Sequence, residues 1–242
     1  MPRSPSAFRD RRDAGLRLAE VLETRHFSNP VVLALPRGGV PVAFEIARAL
    51  RAPLDLMLVR KIGAPGNPEY GIGAVIDGSH PQMVLNEEAM AILRPSATYV
   101  NAERQRQLEE IERRRAFYLG GRPPVSLKGR TAIVVDDGIA TGGTIRVALK
   151  ALHATEAAFI VLAVPAAPQS VIESLRSEAD EIICLGTPEP FHAVGLYYKN
   201  FEQTSDEEVV ALLREAESFS GGSEPPPQGF APKGSMRSTK SP

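Results

Sequence analysis

Two aspartates and a short glycine- and threonine-rich loop carry the strongest chemical signal in this chain. Asp136 and Asp137 directly follow the apolar, β-branched run 131–135, and Gly138, Ile139, Ala140, Thr141, Gly142, Gly143 and Thr144 come next. The run predicts a short buried strand. Ile145, Ala148, Leu149 and Leu152, at spacings of three and four, predict a helix starting at Ile145. The acid pair would therefore sit at the carboxyl end of a strand, with the loop leading into a helix N-terminus. A helix start offers unpaired N–H groups and partial positive charge, which suit a phosphate. Glycines let backbone N–H groups come close, and threonine hydroxyls add donors. Carboxylates just before the loop can accept hydrogen bonds from vicinal hydroxyls. A phosphate at one end and a diol at the other describe a ribose 5-phosphate. The same residues would also suit an ordinary strand-to-helix loop with an incidental acid pair. A Walker A loop is excluded, because no Gly-Lys-Ser/Thr follows.

A second glycine loop lies upstream. Residues 31–35, VVLAL, read as a strand buried on both faces, and they end in Pro36-Arg37-Gly38-Gly39. A helix is expected from Val40 or Pro41. Exposed N–H groups beside the Arg37 guanidinium would make an anion site. Residues 54–59 read as a further strand ending in Arg60-Lys61, where two cations could meet an anion or simply be solvated. Residues 63–71 are rich in glycine and proline and show no periodicity, so a loop is expected. Ile72–Ile76 and 83–85 suggest a hairpin connected by Asp77-Gly78-Ser79-His80-Pro81.

The elements that must position these residues follow in order. A helix is expected from Phe8 to about Arg25, with Leu18, Val21 and Leu22 on its apolar face and the basic cluster Arg9, Arg11 and Arg12 read as a solvated face, with a functional role as the lesser reading. Residues 86–119 read as two helices divided near Pro95. The second is highly charged, with Glu109–Arg113 and Glu110–Arg114 in the favourable order. Its apolar stripe is narrow, drawn from Leu108, Ile111, Arg115 and Phe117 or Tyr118. A solvated helix packed along one side, a subunit contact and a lid support are all open readings. Residues 157–167 predict a buried strand, 168–179 a helix, 181–186 a strand, and 205–218 a helix capped by Ser205 with acids in its first turn. Alternating strand and helix predict an α/β fold with a doubly wound, mainly parallel sheet.

The spacing Asp-Asp-x-x-x-Thr-Gly-x-Thr after an apolar strand resembles the PRPP-binding motif of the type I phosphoribosyltransferases (PRPP is 5-phosphoribosyl 1-diphosphate). The segments LPRGGVPVA and VVDDGIATGGT also resemble those of a bacterial group in that family. The resemblance implies a Rossmann-like fold with a small hood and a helical insertion at about 62–125. It implies transfer of a 5-phosphoribosyl group to a nucleobase-like acceptor with release of pyrophosphate, as in nucleotide salvage. Asp136 and Asp137 would hold the ribose hydroxyls, and Ala140, Thr141, Gly142, Gly143 and Thr144 the 5-phosphate. Arg37, Gly38, Gly39 and Lys61 would hold the pyrophosphate, and Arg37 and Lys61 would face one anion. Magnesium is expected to be bound by PRPP and water, with no direct protein ligand. A lid is expected in the loop after residue 61. Tyr197 or Tyr198 could stack on the base, or could simply be packing. Ala140 stands where hypoxanthine–guanine transferases carry an aspartate, as in adenine transferases. A non-catalytic PRPP or nucleotide sensor on the same fold is the rival reading.

Composition sets the remaining bounds. The 242 residues are 43% hydrophobic and 24% charged, with a formal net charge of -1. That balance argues against a general nucleic-acid or membrane-surface binder. The single cysteine, Cys184, lies in an apolar run, so a buried inert thiol and a cytoplasmic location are expected. One domain over 8–218 is expected, between a loose segment 1–7 and a disordered tail 219–242. The expected partners are PRPP and a small acceptor, with homo-oligomerisation left open.

Overall fold

In a computed structural model, which describes residues 8–77 and 81–219, the chain is built on a five-stranded parallel sheet. Its strands are β1 (Val31–Ala34), β2 (Leu54–Leu56), β6 (Thr131–Val135), β7 (Phe159–Ala166) and β8 (Glu181–Gly186), in spatial order β2-β1-β6-β7-β8. The apolar runs form strands because both faces are covered. Val32 and Ala34 pack into one core with the helices α1 (Arg11–Glu23), α2 (Gly39–Leu50) and α7 (Asp206–Ala216). Val31 and Leu33 pack into the other, against α5 (Gly143–His153) and α6 (Gln169–Leu175). The two-residue alternation of strand side chains thus feeds two cores from one sheet. Strand order reverses between β1 and β6, where Ala34 is level with Val135. The two glycine loops leave these neighbouring strand ends together, at the place where open α/β sheets bind ligands.

The first helix starts later than its pattern predicts. Asp10 caps α1 by accepting from the Asp13 N–H. Phe8 instead bridges Tyr198, with its N–H donating to the Tyr197 carbonyl at 2.7 Å. The expected solvated face is only partly so, because Arg11 turns inward.

Residues 54–76 differ most from expectation. The strand breaks after Leu56, and β3 (Val59–Ala64), β4 (Asn67–Ile76) and β5 (Gln82–Leu85) form a separate antiparallel sheet. Arg60 and Lys61 lie inside β3, and the expected loop 63–71 is mostly strand, turned tightly at Pro65 and Gly66. Period-2 patterning is missing because small residues fill close contacts. A Cβ on Gly73, for example, would come within 2.6 Å of the Val84 carbonyl oxygen. The β4–β5 pairing agrees with the predicted hairpin. Residues 78–80 of its connection, the segment 1–7 and the tail from 220 lie outside the described residues.

The helical insertion divides near Pro95 as predicted, into α3 (Glu87–Leu93) and α4 (Ala97–Leu119). Glu110 pairs with Arg114 and also with Arg113, while Glu109 accepts from Gln105. Arg115 does not extend the apolar stripe. It bridges Asp77 at 2.7 Å and Asp55 at 2.9 Å, joining α4 to both sheets. The Leu58 N–H donates to Asp77 and the Val125 N–H to Asp55. Among the described residues no helix is long and apolar enough to cross a membrane. The Cys184 thiol, half-buried, donates to the Gly186 carbonyl at 3.2 Å, and burial pushes its pKa up.

Burial raises the Asp77 carboxyl to about 6, despite Arg115 beside it. A carboxyl that holds its proton more tightly when folded costs stability once ionised. Its contribution is complete below about pH 4, the usual unfolded value, and is lost as pH rises through about 6. The melting temperature of Asp77→Asn, relative to the parent, should therefore rise between about pH 4.5 and about pH 7.5. Thermal melts of both proteins at the two pH values check this; a constant difference would contradict it.

Candidate active site

Asp136 and Asp137 leave the end of β6 together, beside the loop that leaves β1. The Asp137 N–H donates to Asp136 Oδ1 at 2.8 Å, which ties the first carboxylate to the backbone of the second aspartate. Burial holds the Asp136 carboxyl well above the usual carboxylate range, and the neighbouring charge of Asp137 adds to the effect. Burial also raises Asp137, against the opposing pull of Arg11. A pair held this way is poised to accept hydrogen bonds from neutral donors such as hydroxyls, which would restore solvation lost on folding.

The loop after the pair is open. Ala140, Thr141, Gly143 and Thr144 are exposed. α5 begins at Gly143, two residues earlier than its apolar spacing predicts, and its cap is Gly142 at φ +77. That left-handed backbone favours glycine, and the cap provides no side-chain oxygen. The first N–H groups of α5 therefore lack both a capping oxygen and an intrahelical partner, beside the Thr141 and Thr144 hydroxyls. The geometry suits a small dianion.

Gly38 and Gly39 lie against the acid pair. A Cβ on Gly38 would meet Asp137 Oδ2 at 2.0 Å, and one on Gly39 would meet the Val135 carbonyl oxygen at 2.7 Å. Only glycine allows so close an approach of the two loops. The Arg37 guanidinium is turned to Asp206, at the start of α7, at 3.5 Å. Asp206 also accepts from the Tyr118 hydroxyl at 2.5 Å.

Lys61 does not leave the parallel sheet beside Arg37, because it belongs to β3. It lines a cavity of about 1140 Å³ between the antiparallel sheet, α4 and α5, together with Gly143, Thr144, Arg146 and Lys150. Arg37 is not among the lining residues. The structure thus brings Lys61 to the Thr144 end of the site and Arg37 to the Asp137 end.

Neither tyrosine presents an open ring. Tyr197 and Tyr198 are buried, 8% and 6% exposed, in a small third core with Phe8 and Ala166. The Tyr198 hydroxyl donates to the Asp137 carbonyl at 2.5 Å, and its ring stacks on Phe201. The packing reading of these rings is the one the structure supports. Their segment still reaches the site, because Val194 closes over Gly138.

Sequence reasoning missed Arg11. Its Nε donates to Asp137 Oδ2 at 2.7 Å, and one terminal nitrogen donates to the Glu202 carbonyl at 2.6 Å. Its guanidinium lies 3.9 Å from the centre of the Phe201 ring. The only signal was a basic cluster on an amphipathic helix, which describes most solvated helix faces equally well.

Comparison with known proteins bears on the family and the fold. A family model described as phosphoribosyl transferase domain matches residues 13–199. Two proteins of Mycobacterium tuberculosis, whose names assign them provisionally as phosphoribosyl transferases, are each 46% identical over 209 residues. The match covers 86% of this chain and 47% of theirs, so the chain spans about half the length of the curated relatives it matches. The crystal structure of a Thermus thermophilus protein, TT1426, is 44% identical, with a TM-score of 0.75, over 86% of this chain and 98% of that one.

Proposed function

The chain belongs to the phosphoribosyl transferase domain family, and from that premise we propose that it transfers the 5-phosphoribosyl group of PRPP to a nucleobase-like nitrogen, releasing pyrophosphate. One observation carries the reading. Two glycine loops, one with an arginine and one with an acid pair and a helix N-terminus, leave adjacent parallel strands where the strand order reverses.

In this reading the acceptor nitrogen attacks C1 of the ribose, and the bond from C1 to the pyrophosphate oxygen breaks. The bonding electrons leave with pyrophosphate. Asp136 and Asp137 accept hydrogen bonds from the ribose hydroxyls and fix the ring. Ala140, Thr141, Gly142, Gly143 and Thr144 cradle the 5-phosphate with backbone N–H groups and hydroxyls. Arg37, with the backbone at Gly38 and Gly39, stabilises the charge developing on pyrophosphate, and Lys61 approaches from the antiparallel sheet. Little covalent chemistry falls to the protein, so its contribution is positioning and charge stabilisation. Ala140 has no titratable group, so the acceptor's proton must leave by another route. This favours an acceptor other than a 6-oxopurine.

Magnesium fits as a partner of the substrate. Among the described residues no group of three or more His, Cys, Asp or Glu could hold a metal ion, and Asp137 is already engaged by Arg11. In this reading the cation is held largely by the phosphate oxygens of PRPP and by water. When bound, it would neutralise charge on the pyrophosphate.

The experiment is a panel of nucleobases incubated with the protein, PRPP and magnesium, reading pyrophosphate release. Release that depends on one acceptor is expected. PRPP binding without release for any acceptor would favour the sensor, and neither binding nor release would overturn both readings.

A further inference from the structure

Of the three arginines at the start of the first helix, only one enters the site. Arg9 is exposed and pairs with Asp10, and Arg12 lies 3.9 Å from Glu45 on α2. Arg11 is fixed on three sides, by Asp137, by the Glu202 carbonyl and by the Phe201 ring. Its side chain is 11% exposed and that of Asp137 15%, so the pair is largely shielded from water. We propose that Arg11 is a positioning residue of this site: it fixes the Asp137 carboxylate and favours its charged form, and so shifts the pH range over which the acid pair can accept the ribose diol. The inference rests on the phosphoribosyl reading for its ligand, and on geometry alone for its effect on the carboxylate.

Two adjacent carboxylates at a strand end repel one another, and burial penalises both charges. The groups around Asp137 are few. Asp136 faces it from the same strand end, and the Tyr198 hydroxyl is spent on its backbone carbonyl. The β1 loop presses Gly38 against its Oδ2, while the Arg37 guanidinium points to Asp206. Arg11 is a cation in direct contact with Asp137. Without it, burial would act on Asp137 against weaker opposition, and the carboxyl would hold its proton to higher pH. A protonated carboxyl has less acceptor capacity for a diol. Loss of Arg11 should thus weaken ligand on the acid side and spare it at alkaline pH. Loss of mere packing would weaken it at every pH.

The test compares the parent with Arg11→Lys and Arg11→Gln. Carbon-13 spectra of the aspartate side-chain carboxyls, titrated without ligand, should show the pair's midpoint rising by about one pH unit or more in Arg11→Gln, the effect expected for removing an adjacent opposite charge. Arg11→Lys should keep much of the parent's titration, which also covers the case in which the glutamine variant does not fold. Calorimetry with PRPP and magnesium should show Arg11→Gln weakened about tenfold more at about pH 6 than at about pH 8.5. An unmoved carboxyl titration, or equal loss at both pH values, would overturn the proposal. A parent protein that binds no PRPP would remove the phosphoribosyl reading, while the carboxyl titration would still decide the role of Arg11.

Discussion

Replacing Asp136 and Asp137 together by asparagine is expected to lower PRPP affinity by at least about a hundredfold while leaving the fold as stable as the parent or more so. Hydrogen bonds to a charged acceptor contribute on the order of 1.5–3 kcal/mol each, and two are removed from the diol. Stability should survive because the folded structure holds both carboxyls above their ordinary range. Ionising such groups works against folding at neutral pH, and the amides remove that charge. Arg11 loses a partner in the variant but keeps the Glu202 carbonyl and the Phe201 ring. Calorimetry for affinity and thermal melting for stability decide it together. Unchanged affinity would take the ribose away from the acid pair, and a large fall in melting temperature would assign the pair to structure.

The second large effect concerns stability. Arg115 lies between two buried carboxylates, Asp55 on β2 and Asp77 at the end of β4. It links α4 to both sheets. Arg115→Met keeps much of the side-chain volume but removes the guanidinium from both acids, leaving them backbone N–H donors. Removing one partner of a buried ion pair typically costs about 3–5 kcal/mol, because the remaining charge stays unsolvated. In a domain of this size, that corresponds to a fall of roughly 10 °C in melting temperature. Adding Asp77→Asn should recover part of the loss, since one stranded charge then disappears. A loss under about 1 kcal/mol for Arg115→Met, measured by urea unfolding, would mean that the bridge does not hold the sheets together.

The parallel sheet was legible because strands buried on both faces are mostly apolar, as residues 31–35, 132–135 and 157–167 are. The two glycine loops were legible because an anion beside a helix start demands small residues and donors in a fixed order. The antiparallel sheet was not, because glycines and prolines in residues 63–73 mask a strand that needs small side chains to let backbones meet. That misreading carried Lys61 into the wrong sheet. Arg11 and Arg115 were not legible for a different reason. A guanidinium on a helix is read as solvated by default, and only tertiary structure shows that each ends against a carboxylate distant in sequence. Whether tyrosines 197 and 198 bind or pack was not legible because an aromatic ring near a site packs as readily as it binds, and here both rings are buried in a small core.

The claim on which the account depends is that the Asp136–Thr144 segment and the Arg37 loop form one site for a phosphorylated ribose carrying a pyrophosphate. The most direct measurement is a calorimetric titration of the protein, with magnesium, against PRPP, ribose 5-phosphate and pyrophosphate. The account predicts that PRPP binds at one site per chain, displaces each of the other two, and is the tightest because it alone engages both loops. Ribose 5-phosphate and pyrophosphate that PRPP fails to displace, or no binding of PRPP at all, would contradict it.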